Sequence, residues 1–275
     1  MSADSSKKRK VKVIETKQGS DDWKKKRKGL VGDQKVQFKA VIGSSTFGAA
    51  AGLDEYKSPL LAYLELIGEN DFKGNDATNH GNQFESVCAD FCSQRIGERL
   101  YEMGILKPSS KNPLLGSAAD NVRVSPDRWG CTGCATQDDE QVEDHLSHEG
   151  FFLVECKCPY GRTSYQNSYQ KRMKQSHHCQ LAVQMAVSQT NWIYYAVALV
   201  DNNGKFQEGV IRKVHFSDDY WNFVFSRTLQ IIELATNTLC LGERYEDYIR
   251  NELPDIEDIN TIPTIQVEQI FPSMK

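Results

Sequence analysis

Two charged residues interrupt an apolar segment near the middle of this 275-residue chain. Residues 151–158 read FFLVECKC, a pattern that apart from Glu155 and Lys157 predicts a buried β-strand. Side chains alternate between the two faces of a strand, so Glu155 and Lys157 share one face while Cys156 and Cys158 share the other. We therefore interpret one face as core and the other as a candidate site for a carboxylate and an ammonium group.

A carboxylate and a lysine at this spacing can support hydrolysis at a metal ion. Magnesium is held by one or two carboxylates together with water and substrate phosphate, so Glu155 needs a partner. Asp120 ends the segment LLGSAAD, which we interpret as the preceding strand, and it would lie across a hairpin from Glu155. Glu85, on a predicted helix, can add a further carboxylate. Lys157 can orient or deprotonate a water and stabilise transition-state charge.

The composition is that of a soluble globular protein, with 39% hydrophobic and 25% charged residues. No apolar run approaches the roughly 18 residues of a membrane span, and the basic start is unlike a signal peptide. We expect an intracellular protein with no membrane partner and with its eight cysteines reduced. The segment KKRKVK at residues 7–12 resembles a nuclear-import signal, although a solvated tail explains it equally well; otherwise we expect a cytoplasmic location.

The chain divides by composition into a flexible basic tail (1–20), a single domain (21–250) and an extended C-terminal tail (251–275). An acidic, turn-rich stretch near 125–150 is interpreted as an insertion. Apolar periodicity predicts helices near 46–52, 59–68, 82–96, 177–189 and 220–236, and strands near 105, 112–124, 151–159, 192–200 and 210–216.

Six short motifs occur in the order found in the lambda-exonuclease and YqaJ-type viral recombinase group of the PD-(D/E)XK nucleases. Glu-x-Lys alone arises by chance, so the specificity of the resemblance lies in this collinearity across residues 23–184. The matches are Trp23–Arg27 with W-x-x-x-R, Ile42–Ser45 with the I-T-A/G-S turn, Gly81–Glu85 with G-x-x-x-E, Leu115–Asp120 with L-G-A-S-P-D, Glu155–Pro159 with E-x-K-C-P, and Gln180 followed by Gln184 with the glutamine helix.

The resemblance implies an α/β fold with a restriction-endonuclease-like core, in which helices flank a central mixed β-sheet. It makes Asp120 and Glu155 metal ligands, with the carbonyl of Cys156 and the carboxylate of Glu85 as further ligands. Lys157 would orient the attacking water. Mg2+ is the implied cofactor, and Mn2+ is expected to substitute for it.

The remaining matched residues are implied to handle the substrate. Gln180 would position substrate or water, and Arg27 and Ser45 would correspond to a pocket for a terminal 5′-phosphate. The implied reaction is hydrolysis of phosphodiester bonds from a 5′ end of linear double-stranded DNA, in recombination or DNA processing. A homotrimer around DNA and a single-strand annealing protein as partner are also implied.

The choice of aspartate is the main departure from the family pattern. The family has a hydroxyl two residues before its aspartate, whereas residues 118–121 read AADN. Ser125-Pro126-Asp127 copies the family letters better. We nevertheless predict Asp120, because the apolar LLG before it is typical of a strand, whereas Asp127 follows a proline and begins a loop.

Each predicted site residue also has an interpretation without catalysis. Glu155 and Lys157 could form an exposed ion pair worth less than about 1 kcal/mol. Glu85 and Arg27 could be solvated, Gln180 could be a buried amide, and Ser45 could be a helix cap. The functional alternatives are an endonuclease on the same fold and a DNA-end-binding scaffold without turnover.

The insertion carries a second cysteine pattern, Cys131-Thr-Gly-Cys134. Two thiols at this spacing form half of a typical zinc site. No second pair at metal-binding spacing accompanies them, and Cys156 and Cys158 are predicted to face the core. By itself the pair does not predict a metal site.

Overall fold

The computed structural model describes residues 11–28, 39–70, 74–134, 142–161, 173–201, 203–253, 255–256 and 258–274. The basic residues 7–10 and the acidic residues 138–141 lie outside these ranges, so the proposed import signal falls largely outside the described residues. Within them, none of the helices combines the length and the apolar character that crossing a bilayer requires.

A six-stranded mixed sheet forms the centre of the molecule, with strand order β10-β9-β8-β7-β6-β3. Strands β7 and β8 are parallel and the other neighbours are antiparallel. Two short pairs, β1 with β4 and β2 with β5, lie beside it. The strands are β1 Val11–Ile14, β2 Ile42–Gly43, β3 Tyr101–Glu102, β4 Ile105–Pro108, β5 Val122–Arg123, β6 Arg128–Cys131, β7 Phe151–Lys157, β8 Trp192–Val200, β9 Phe206–His215 and β10 Val267–Met274.

Helices surround this sheet, which confirms the predicted α/β class. Their starts follow the expected signals: Ser58 caps a helix that has Pro59 in its first turn, and Ser217 caps the long helix after β9. The α-helices are α1 Asp21–Arg27, α2 Phe47–Ala50, α3 Pro59–Leu66, α4 Asp76–Ile96, α5 Val142–His145, α6 Gln175–Ser188, α7 Asp218–Leu241 and α8 Glu246–Glu252.

Strand β7 is buried on both faces. Its Cys156 face packs with Cys88 and Phe91 of α4, whereas Leu153 on the opposite face belongs to the larger core that includes α6 and α7. Glu155 lies on this second face and is only 2% exposed. The Glu155 face is therefore not an open surface, and the charged residues lie beneath a helix.

The segment predicted as the strand before β7 is not a strand. Residues Gly116–Asn121 form a 3-10 turn, held in part by the Asn121 amide, which donates to the carbonyl of Ala40 at 2.7 Å. The hairpin partner of β7 is β6, with Arg128 opposite Val154. Continuing that register by one residue places Asp127 opposite Glu155.

Both ends of the described chain contribute strands, which differs from the predicted tails. Residues 11–14 form β1 and pair with β4 from Val11 opposite Pro108 to Ile14 opposite Ile105. Residues 267–274 form β10 and pair with β9 at the sheet edge. Edge pairing supplies backbone hydrogen bonds, which do not depend on the polar side chains that suggested tails.

Close packing of α2 against α6 sets the distance between the Ser45 turn and the Gln180 helix. A Cβ atom at Gly48 would lie 2.7 Å from the Cα of Ser176, which is closer than real contacts allow. Gly48 is therefore required, because the backbones of α2 and α6 approach each other closely there.

We expect Gly48→Ala to lower the free energy of unfolding by about 1–3 kcal/mol, because the backbone of α6 must move to admit the methyl group. Urea denaturation measures the change. Gly81→Ala is the matched control, since its Cβ would meet only the carbonyl oxygen of Cys158 at 3.9 Å, an ordinary contact. Equal stability of the two variants would contradict this packing.

Candidate active site

Glu155 is the centre of a buried hydrogen-bond network between β7 and α6. The amides of Gln180 and Gln184 donate to its two carboxylate oxygens at 2.5 and 2.7 Å, and Lys157 donates to the same oxygen as Gln180. Lys157 Nζ also donates to Gln180 Oε1 at 3.2 Å. The two glutamines are four residues apart and so share one helix face. The network holds carboxylate and ammonium in one orientation.

Asp127 is the second carboxylate of the site. It is 7% exposed, and its Oδ2 accepts a 2.7 Å hydrogen bond from the backbone N–H of Cys156. Burial, followed by the negative charges of Glu155 and Glu85, raises the pKa of Asp127 well above its usual value. The buried backbone N–H thus has its partner in a side chain that lies next to Glu155.

Asp120 does not lie in this site, so the prediction that it faces Glu155 across the hairpin is wrong. Its side chain is about half exposed and pairs with Lys107 at 3.3 Å and Lys39 at 3.7 Å. The hydrogen bond from Lys107 lowers the pKa of Asp120. The turn that contains Asp120 precedes β5, which pairs with β2 and is not part of the central sheet.

Glu85 approaches the site from α4, as the resemblance implied, but it carries its own counter-ion. Arg128 Nη1 donates to Glu85 at 2.6 Å and also to the carbonyl of Asp127 at 2.6 Å. Burial raises the pKa of Glu85, the negative charge of Glu155 adds to this effect, and Arg128 opposes it. Glu85 is near enough to influence the other acids, but Arg128 must share it with any metal.

Asp127 and Glu155 are suited to a hard divalent cation. A cation between two buried carboxylates removes the repulsion that raises the pKa of Asp127. The N–H and C=O of a strand residue point to the same edge, so the Cys156 carbonyl points toward Asp127, as its N–H does. The three acids do not converge within 4.8 Å as a group among the described residues, so two carboxylates and this carbonyl are the donor set that fits.

A cationic group lies beside the acids. Arg27, at the end of α1, donates to Ser45 Oγ at 2.6 Å and lies over the ring of Trp23 at 4.9 Å. Burial lowers the pKa of Arg27, and the charges of Glu155 and Asp127 act in the opposite direction. A Cβ atom at Gly43 would lie 3.0 Å from the guanidinium, so a side chain there would require Arg27 to shift slightly.

If Asp127 and not Asp120 is taken as the family's aspartate, the hydroxyl that the family has two residues earlier is present in this chain. Ser125 lies two residues before Asp127 and accepts a 3.1 Å hydrogen bond from the indole of Trp23. This contact joins the Trp23–Arg27 helix to the start of the hairpin. Ser125 is thus bonded to the helix that ends at Arg27.

Lys57 is a further cation that sequence reasoning missed. It pairs with Glu65, and burial lowers its pKa to about 8, with the positive charge of Arg27 contributing in the same direction. Nothing in its local sequence distinguishes it from a solvated lysine. Asp127, in contrast, could have been found from the letters of Ser125-Pro126-Asp127, because a proline before a strand does not prevent the following residue from pairing.

The buried carboxylates generate a prediction for the metal-free protein. Because the pKa of Asp127 is higher in the folded than in the unfolded chain, its protonation favours folding, and stability falls as the pH rises above the unfolded value. In EDTA, Asp127→Asn should exceed the parent in free energy of unfolding by more than about 1 kcal/mol near pH 8 and equal it near pH 4. Thermal and urea unfolding at both pH values measure this.

Asp120→Asn is the matched control and should show the opposite sign. The pKa of Asp120 is lowered by Lys107, so its charge stabilises the fold at neutral pH and this contribution is lost as the pH falls. The two asparagine variants behaving alike would contradict the assignment of buried charge to Asp127.

Comparison with known proteins shows the family and the fold of the chain. Residues 22–191 match the YqaJ-like viral recombinase domain, which covers more than half of the chain. No curated protein matches. Among solved structures, the fold is similar to an alkaline exonuclease (LHK-Exo) from Laribacter hongkongensis, with a TM-score of 0.54 and 15% identity over 85% of this chain and 97% of that one.

A second structure of that exonuclease, in complex with dAMP, has a TM-score of 0.53 and 16% identity over 84% of this chain and 97% of that one. At these identities the structural likeness establishes the fold. The matched residues 22–191 contain α1, the Ser45 turn, Glu85, the β6–β7 hairpin and the glutamine helix. The chain therefore belongs to the YqaJ-like viral recombinase family.

Proposed function

We propose that this protein is a metal-dependent DNA exonuclease that removes nucleotides from the 5′ end of linear duplex DNA. The observation that carries the proposal is the buried cluster in which Asp127 lies opposite Glu155, with Lys157 bonded to the same glutamate. Membership of the YqaJ-like family and an alkaline-exonuclease fold support the nuclease class.

Each residue of the site would have its own role in the reaction. A bound Mg2+ would polarise the phosphate and favour ionisation of an attacking water. Asp127, Glu155 and the Cys156 carbonyl would hold this ion. Lys157 would hold the water and place positive charge near the phosphorane-like transition state, where its effect is greatest. Gln180, bonded to both Glu155 and Lys157, keeps the ammonium group in position.

Arg27 and Ser45 support recognition of a DNA end. A terminal phosphate carries more negative charge than a bridging one, and the Arg27 guanidinium can bind two of its oxygens. The guanidinium is close enough to Asp127 and Glu155 for their charges to act on its pKa. A phosphate held there would place the adjoining nucleotide near the acids. The dAMP bound by the similar exonuclease is the class of product that this reaction releases.

The same geometry argues against a scaffold without turnover. A non-catalytic DNA-binding protein gains nothing from burying Asp127 beside Glu155, and the mutual repulsion costs stability. An endonuclease would retain the acids but would not need a pocket for a terminal phosphate. The trimeric assembly, the annealing partner and the cellular location stay predictions.

Lys157→Ala should reduce Mg2+-dependent digestion of end-labelled linear duplex by at least about a hundredfold, because the water loses its cationic partner. Duplex binding measured in Ca2+ should change little. Asp127→Ala should abolish both digestion and Mg2+ binding, whereas Asp120→Ala should retain activity close to the parent's.

Two outcomes would contradict this assignment: full activity of Asp127→Ala, or loss of activity in Asp120→Ala with Asp127→Ala unaffected. Closed circular duplex is the second substrate. Its cleavage at the rate of linear duplex would make the protein an endonuclease.

Arg27→Ala should lower the rate on duplex with a 5′-phosphate about tenfold or more relative to the same duplex with a 5′-hydroxyl, because one charge-assisted contact is lost only from the phosphate. Lys24→Ala is the control, since Lys24 lies on the same helix but is 61% exposed and pairs with Asp21. An equal loss of rate on both duplexes would mean that Arg27 contacts the DNA backbone and does not recognise the terminal phosphate.

A further inference from the structure

The tip of the β6–β7 hairpin brings three metal-binding side chains together. Cys131, Cys134 and His148 place their ligand atoms within 4.8 Å of one another, and this is the only such group of three among the described residues. Cys131 is the last residue of β6, and His148 lies three residues before β7. In the structure the two cysteines are joined as a disulfide.

We propose that, with its thiols reduced, this cluster is a structural Zn2+ site that is separate from the nuclease site. Two thiolates and one imidazole are donors typical of zinc, and unlike the oxygen donors around Glu155 they do not favour magnesium. The spacing is also suitable, because residues 135–147 separate Cys134 from His148, within the range common between the cysteine pair and the first histidine of zinc fingers.

The distance between Cys131 and His148 is compatible with tetrahedral coordination, and reduction of the disulfide would let the two sulfurs separate. Zn–S bonds of about 2.3 Å and Zn–N bonds of about 2.0 Å place sulfur and nitrogen roughly 3.5 Å apart in a tetrahedron. Cys131 Sγ and His148 Nδ1 are 3.3 Å apart, and the N–H of Gly150 donates to the same Nδ1 at 3.0 Å. Coordination of zinc by Nδ1 would displace this hydrogen bond. Because three side chains converge among the described residues, water would complete the coordination, which leaves this site more open than structural sites with four protein ligands.

The backbone around the cluster is shaped for close approach. The N–H of Thr132 donates to the carbonyl of Gly150 at 3.0 Å, which extends the hairpin ladder past Cys131. A Cβ at Gly150 would lie 2.0 Å from the Thr132 oxygen, so only glycine fits there. Gly133, between the cysteines, has a φ of +75°, which favours glycine. The turn therefore holds both sulfurs on the side of His148.

The site would stabilise the hairpin from its tip. Beneath it, Trp129 stacks on Phe151 at 5.9 Å, and Val142 and Leu146 are buried. These residues lie at the margin of the hairpin and belong to the larger core. A metal that ties β6 to the segment before β7 would add a cross-link there, of the kind small metal domains use. Asp127 and Glu155 lie at the other end of the same hairpin, so its register would depend on the ion without the ion entering the reaction.

The two cysteines cannot form a disulfide and bind zinc at the same time. Each reduced thiol must lose a proton to bind Zn2+, whereas a disulfide has no thiolate to offer. His148 distinguishes the two states, because a disulfide does not require an imidazole.

The test is zinc content by inductively coupled plasma mass spectrometry, after equilibration of the purified full chain with ZnCl2 in the presence of a phosphine reductant and removal of excess metal. The parent and Cys240→Ser, which alters an exposed cysteine far along the chain, should each hold about one zinc per chain. Cys134→Ser and His148→Ala should each lower the content by about tenfold or more.

His148→Cys is the rescue variant, because it replaces the imidazole by another zinc ligand. Its third thiolate should restore the zinc content to about the parent level. Circular dichroism establishes that each variant is folded. The proposal is overturned if the reduced parent holds no zinc, or if folded His148→Ala holds as much as the parent. None of these readouts depends on nuclease activity, so failure of the proposed nuclease function would leave this result unchanged.

Discussion

Burying several carboxylates in one place is the constraint on which the rest of this molecule depends. Asp127 and Glu155 are both nearly excluded from water, and Glu85 is close enough to influence the protonation of Asp127. Such an arrangement repels itself unless protons or cations compensate. The chain supplies Lys157 and Arg128 as partial compensation, and the pKa of Asp127 remains raised in their presence. That residual imbalance is what a divalent ion would relieve.

The cations around the acids are themselves held by specific contacts. Lys157 is anchored through Gln180, Arg128 is shared between Glu85 and the backbone of Asp127, and Arg27 rests on Trp23. An unanchored lysine or arginine would lose side-chain entropy on every encounter with substrate. Pre-positioning by the helices α1 and α6 removes much of this cost. Helix α6 also covers the Glu155 face of β7, so the alternative of an exposed ion pair between Glu155 and Lys157 does not hold.

The hairpin β6–β7 connects the two sites of the molecule. Its open end carries the acids, and its tip carries Cys131 and His148. Because side chains on a strand alternate, a slip of one residue would move Asp127 away from Glu155 and toward the opposite face. The stacked Trp129 and the contacts at the tip both oppose such a slip. The acidic pair and the cysteine pair look unrelated in the sequence, yet both depend on the pairing register of this one hairpin.

Several elements could be predicted from sequence because their signals are local. Strand β8 is a continuous apolar run, and β7 is one apart from Glu155 and Lys157. The helices α4, α6 and α7 have helical periodicity, and capping side chains stand at the starts of α4 and α7. The order of six motifs identified the family, and with it the fold class. Glu155, Lys157 and Gln180 lie on β7 and α6, two elements that local signals predicted.

The aspartate was missed because its position is a question of pairing between strands. The segment LLGSAAD is apolar enough for a strand, yet Asn121 and its neighbours bond to other loops and form a 3-10 turn. Nothing in the composition of that segment distinguishes a strand from a 3-10 turn, and the letters of Ser125-Pro126-Asp127 were the one local signal for the other aspartate. Sequence alone therefore determined the residue types, the elements and the family. Tertiary structure decided which carboxylate meets Glu155, that Lys57 lies near enough to Arg27 for its charge to act, and that His148 reaches the cysteine pair. Contacts between distant segments depend on strand register and helix packing.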